Sequence, residues 1–196
     1  MKWLLWIVTL LRVVLIPVFL HVALTAQDLA RSGSPDPTYR WMSLGVLLVM
    51  GLSDVLDGWI ARRWELATQL GAVVDAVADK LVQVFMVGFF ALSVGPVFRP
   101  IPMWFLIVIF GRDLVLLVGV LVLRARYGPL DVVHRWHGRA ASTLVHGVLF
   151  WAALRLPELP MTVLMGVTAS LSIYSATIYA LDGAAQGRAR VETATG

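Results

Sequence analysis

Asp54-Val-Leu-Asp57-Gly58-Trp-Ile-Ala61-Arg62, followed at a short distance by Gly71-Ala-Val-Val-Asp75-Ala-Val-Ala-Asp79-Lys80, sets four carboxylates inside strongly apolar sequence. On helix-insertion scales a charge near the bilayer midplane costs about 2.5–3.5 kcal/mol, so four without partners would cost on the order of 10 kcal/mol. Partners of opposite charge are required, and divalent cations are the expected ones. Outward from this stretch the chain is 59% hydrophobic and 14% charged, a balance foreign to ordinary soluble domains. Six stretches have or approach the roughly 20 residues that cross a bilayer as a helix: 3–26, 41–62, 70–92, 100–123, 140–155 and 160–181. Residues 1–196 are therefore expected to form one all-α polytopic membrane domain of six transmembrane helices, since lipid obliges each span to satisfy its own backbone hydrogen bonds.

The first apolar run is too long for a signal-peptide core, is interrupted by Arg12 and lacks an A-x-A site, so it is expected to remain as the first helix. Cysteine is absent, which removes disulfides and thiolate chemistry. With the N-terminus placed in the cytoplasm, that side collects Lys2, Arg62, Arg63, Arg124, Arg126, Arg135, Arg139, Arg188 and Arg190. The opposite side holds Arg31, Arg40, Arg99 and Arg155. This asymmetry predicts both termini, and the carboxylates, on the cytoplasmic side of a bacterial-type inner membrane. The net charge of +4 then suits an anionic leaflet; no nucleic-acid-reading motif is present. Turn-rich connections are expected within 27–40, at Gly95-Pro96, from Tyr127-Gly128-Pro129 to Arg139, and at Pro157 to Pro160. The Gly/Ala-rich tail after Asp182 is expected to fray.

At 100° per residue, Asp54, Asp57, Gly58 and Ala61 share one stripe of the second helix, and Gly71, Asp75 and Asp79 share a face of the third. A short turn makes these helices antiparallel neighbours whose acidic faces can meet. Carboxylate oxygens are hard ligands that suit Mg²⁺ or Mn²⁺, whereas zinc favours His or Cys. Gly58, Ala61 and Gly71 leave a shallow channel between helices, and Arg62 beside it offers a fork for phosphate. Small residues at this spacing also serve close helix packing, and a membrane aspartate also serves proton relay. A cation or proton transporter is thus the rival reading from another class, and an inactive scaffold a further one.

These residues fulfil D-x2-D-G-x2-A-R-x8-G-x3-D-x3-D without a gap, and the pattern resembles the signature of the CDP-alcohol phosphatidyltransferases. The resemblance implies a six-helix membrane enzyme, and a homodimer. It implies two ions, Mg²⁺ or Mn²⁺, held by Asp54, Asp57, Asp75 and Asp79, and Asp79 as general base for the incoming alcohol. Gly58, Ala61, Arg62 and Gly71 would line the pocket for the CDP-linked lipid, and CMP would leave.

For the acceptor, Thr9-Leu-Leu-Arg12-Val-Val-Leu-Ile-Pro17 resembles the opening of the phosphatidylglycerophosphate synthases, without their usual preceding Pro-Asn. Ala78-Asp79-Lys80 resembles an element shared with the cardiolipin synthases, and Ala76 stands where a proline is frequent. Gly111-Arg112-Asp113 and Gly138-Arg139-Ala-Ala-Ser142 resemble two further elements of the synthases, with Val145 in place of a common glutamine. The implied reaction moves the phosphatidyl group of CDP-diacylglycerol to glycerol 3-phosphate, with Arg112 and Arg139 as candidates for the acceptor phosphate. The nearest alternative is a cardiolipin synthase using phosphatidylglycerol. His134, Arg135, Trp136 and His137 read as an interfacial basic–aromatic patch, and His21 and His146 as satisfied histidines. Lys80 either balances charge or meets substrate.

Overall fold

The computed structural model describes the backbone of residues 2–63, 69–128 and 136–195, and their side chains except at 2–8, 54–63, 69–73, 76, 127, 136–139, 184 and 187–195. Within these, six helices follow one another: α1 (Lys2–Arg31), α2 (Pro37–Arg63), α3 (Gln69–Leu92), α4 (Met103–Tyr127), α5 (Trp136–Leu154) and α6 (Glu158–Thr195). No strand occurs among the described residues. The all-helical expectation holds, and each expected span overlaps one helix. Among the described residues three helices are long and apolar enough to cross a membrane, over Thr9–Arg31, Met103–Arg126 and Glu158–Gly183.

Two boundaries differ from expectation. The first outer connection shrinks to residues 32–36, because α1 runs on to Arg31 and α2 starts at Pro37. Proline suits a first helical position, where its missing N–H has no helical partner to lose. Asp36 caps that start: its Oδ1 accepts the Thr38 N–H at 2.8 Å, which occupies one orphan donor of the first turn. The tail beyond Asp182 does not fray; its backbone continues α6 to Thr195, in keeping with a segment rich in alanine, the best helix former. At the end of α4, Gly128 adopts φ 78° and its N–H donates to Arg124 O, a left-handed stop that glycine adopts without strain.

The chain divides into two compact units, Met1–Ile101 with Leu149–Leu156, and Pro102–Val148 with Pro157–Gly196. In the first unit α1 packs on both α2 and α3. Its buried seam alternates by three and four residues through Thr9, Arg12, Ile16, Phe19, Ala23 and Ala26, the repeat of left-handed helix packing. Phe19 meets Phe89 of α3 edge to face at 5.4 Å, and Phe90 meets Phe98 of the following loop at 5.7 Å. Such pairs contribute about 0.5–1.5 kcal/mol beyond area burial. The arginines assigned to the outer side share one structural use. Arg31 donates to Val94 O at 2.6 Å, Arg40 to Leu154 O at 3.1 Å, Arg99 to Leu156 O at 2.8 Å, and Arg155 to Pro96 O. These carbonyls lie at or just past the ends of α3 and α5, where the last turns lack helical partners. Each of these four arginines thus closes a chain reversal.

In the second unit α4 packs on α6. The inward stripe of α6 is Met161, Met165, Thr168, Ser172 and Ser175; the last three are small, hydroxyl-bearing residues of the kind that let membrane helices approach closely. Thr168 satisfies its own hydroxyl on Leu164 O at 2.7 Å.

Candidate active site

Helix α2 carries Asp54, Asp57, Gly58, Ala61 and Arg62, and α3 carries Gly71, Asp75 and Asp79. The side chains of Asp54, Asp57, Gly58, Ala61, Arg62 and Gly71 lie outside the described residues, so the site is built from its α1–α3 half. Asp75 and Asp79 stand one turn apart on α3, and the neighbouring residues Ala78, Val82 and Met86 are buried. Both carboxylates turn one oxygen toward α1. Arg12 donates through Nη2 to Asp75 Oδ1 at 2.8 Å and through Nη1 to Asp79 Oδ1. The Thr9 hydroxyl donates to Asp75 Oδ1 at 3.3 Å.

Accessibility is divided unequally. The Arg12 side chain is 2% exposed, whereas those of Asp75 and Asp79 are each 43% exposed. The cation is thus sealed behind the carboxylates, which remain open on another side. Guanidinium is suited to this place because its planar fork can bridge two carboxylates at once.

The sequence places Arg12 as an interruption of the first helix and within the Thr9–Pro17 element, without naming its partners on α3. A signal was present: Arg12 falls on the same three–four seam as Ile16, Phe19 and Ala23, so it had to face a neighbouring helix. Lys80, by contrast, donates to Gln83 Oε1 at 3.1 Å, one turn along its own helix.

Among the described residues no three His, Cys, Asp or Glu side chains gather into a metal-ligating group. The pair that is described has the chemistry such a group requires: two adjacent, half-exposed carboxylates with hard oxygens on one helix face. Asp75 and Asp79 therefore fit one half of a divalent-cation site whose other candidate ligands are Asp54 and Asp57.

The acceptor candidates Arg112 and Arg139 belong to the second unit. Arg112 on α4 donates to Asp113 Oδ1 at 2.9 Å and to Ser175 Oγ of α6 at 3.4 Å. Its side chain is 12% exposed, and it lines an open, mainly apolar groove of about 450 Å³ between α4 and α6. Its Nε is buried without a hydrogen-bond partner among the described residues. The side chain of Arg139, on α5, lies outside the described residues, as does the 134–137 patch. His146 is satisfied locally by Ser142 O at 2.9 Å from its Nδ1.

The signature carried by α2 and α3 points to a class of proteins. The chain belongs to the CDP-alcohol phosphatidyltransferase family, whose model matches residues 6–176. It is 34% identical over 137 residues to a protein named "Cardiolipin synthase (CMP-forming)" from Streptomyces coelicolor, covering 69% of this chain and 58% of the relative. It is 31% identical over 157 residues to a "Probable phosphatidylglycerophosphate synthase" from Mycobacterium tuberculosis, covering 80% of this chain and 66% of the relative. With a "CDP-diacylglycerol--glycerol-3-phosphate 3-phosphatidyltransferase" from Haemophilus influenzae it shares 28% identity over 178 residues, 87% of this chain and 88% of the other. The matches thus span less than two thirds of the length of the Streptomyces and Mycobacterium relatives. No solved structure matches the chain.

Proposed function

We propose that the protein is a phospholipid-synthesising membrane enzyme that moves the phosphatidyl group of CDP-diacylglycerol to glycerol 3-phosphate, forming phosphatidylglycerophosphate and CMP. The observation that carries this reading is the pair of half-exposed carboxylates, Asp75 and Asp79, at the end of an unbroken family signature. Six membrane spans, cytoplasmic termini in a bacterial-type inner membrane, and a homodimer complete the proposal. The orientation is supported by the Lys and Arg asymmetry of the connections.

In this reading Asp54, Asp57, Asp75 and Asp79 hold two ions, Mg²⁺ or Mn²⁺. Bound there, the ions would neutralise charge on the diphosphate during an in-line displacement. The protein's own groups do the rest. Gly58, Ala61 and Gly71 leave space for the nucleotide to lie against the helix backbones, and Arg62 orients a phosphate. Asp79 takes the proton of the acceptor hydroxyl as that oxygen attacks the lipid-bearing phosphorus. The bond from this phosphorus to the CMP oxygen breaks, and CMP departs with the electron pair. Arg112 and Arg139 are assigned to the phosphate of the acceptor.

A second reading within the family, cardiolipin synthesis from phosphatidylglycerol, is favoured by the likeness to the Streptomyces relative. Purified protein in liposomes, given CDP-diacylglycerol with each acceptor in turn, separates the two by CMP release. Release with glycerol 3-phosphate is expected. Release with phosphatidylglycerol alone would reassign the acceptor, and ion flux without CMP release would move the protein to the transporter class.

A further inference from the structure

Arg12 is placed to do more than pair charges. Its side chain is 2% exposed, it lies on the packed seam of α1, and its fork spans both Asp75 and Asp79. A guanidinium so enclosed has no route to water, and its positive charge stays beside these carboxylates whatever binds on their open side. Arg12, Asp75 and Asp79 together carry one net negative charge, where the two carboxylates alone would carry two.

We propose that Arg12 is a positioning residue that weakens the grip of Asp75 and Asp79 on divalent ions and keeps one fixed positive charge beneath an incoming diphosphate. The inference rests on the ion-binding role proposed above for Asp75 and Asp79. Its physical basis is Coulombic: a fixed cation beside the carboxylates repels a second cation and attracts an anion. The consequence is ordered assembly. Ions alone bind loosely, and the CDP-linked substrate, which brings negative charge, completes their retention. The fork has a second effect, since it also sets the spacing of the two carboxylates, as outer-shell partners of metal ligands do. A substitution series separates charge from spacing.

The test is Mn²⁺ binding to the full chain in nanodiscs, read by electron paramagnetic resonance without any CDP-lipid, followed by CDP binding to the Mn²⁺-saturated protein. Arg12→Met is expected to bind Mn²⁺ at least tenfold more tightly and CDP about tenfold more weakly. Arg12→Lys, which keeps the charge and loses the fork, is expected to stay within about threefold of the wild type for both. Opposite shifts in the two affinities are a signature that damaged packing would not produce. Unchanged or weaker Mn²⁺ binding in Arg12→Met overturns the inference, as does a tenfold shift in Arg12→Lys, which decides alone if the methionine variant does not fold. A wild type that binds no Mn²⁺ overturns the ion-binding role of the aspartates and this inference with it. A wild type that binds it, with Arg12→Met unchanged, overturns only the inference.

Discussion

Gln27 fills the space a side chain at Gly95 would need: a Cβ built on Gly95 would overlap the Gln27 carboxamide. That carboxamide is fully buried and tied at both ends, donating through Nε2 to Ser93 O at 3.2 Å and accepting the Val97 N–H through Oε1 at 3.2 Å. One side chain of α1 thereby holds the loop that follows α3. Gly95→Ala is expected to force the amide away and break both bonds, costing about 1–3 kcal/mol. Thermal unfolding in detergent would register the loss as a lowered Tm, with CMP-release activity at low temperature retained.

Asp79→Asn keeps the shape of the side chain and removes the proton acceptor. Turnover is expected to fall by about 10²–10⁴-fold, the usual worth of a positioned base. CDP-lipid binding in the presence of Mg²⁺ should persist. Full activity in this variant would refute the assignment of the base.

Gly58→Leu is expected to obstruct the channel proposed for the nucleotide, raising the apparent KM for CDP-diacylglycerol or abolishing activity. Kinetics unchanged from the wild type would return Gly58 to helix packing.

Arg112 is held by Asp113 and Ser175, and two variants distinguish its roles. If it binds the acceptor phosphate, Arg112→Lys should raise KM for glycerol 3-phosphate about tenfold and leave that for CDP-diacylglycerol unaltered, because lysine lacks the bidentate fork. Asp113→Asn should then lower stability without this selective change. Equal effects of both variants on both substrates would make Arg112 a structural residue.

Asp36, in the connection between α1 and α2, supplies a pH dependence. The hydrogen bonds from the Thr38 side chain and then its backbone hold the Asp36 carboxyl below its ordinary value. Since the folded value is the depressed one, the cap contributes stability above the unfolded carboxylate's pKa and loses it as pH falls through the folded pKa. Asp36→Asn, which caps without a charge, is expected to be less acid-sensitive. Unfolding temperatures at neutral pH and near pH 3 would show it as a smaller drop than in the wild type.

The order of the helices and the placing of Asp75 and Asp79 on one face of α3 were legible before any packing was known. Apolar runs and a four-residue spacing act within one helix, where 100° per residue decides which side chains share a side. The outer ends were less legible. The expected break at 27–40 leaves out that Arg31 is held by Val94 O and that Asp36 caps α2, and the Gly/Ala-rich composition of the tail after Asp182 points to fraying although its alanines favour helix.

Periodicity places Asp75 and Asp79 side by side, but it is blind to what stands opposite them. Arg12 lies 63 and 67 residues away along the chain, and nothing local to either segment names the other. Their meeting is a result of how α1 packs on α3, which sets one buried guanidinium against two carboxylates. The same holds for Gln27 and the loop after α3, and for Arg112 and Ser175. Spacing along one helix follows from covalent geometry, whereas a partner on another helix follows from which faces exclude lipid and water together.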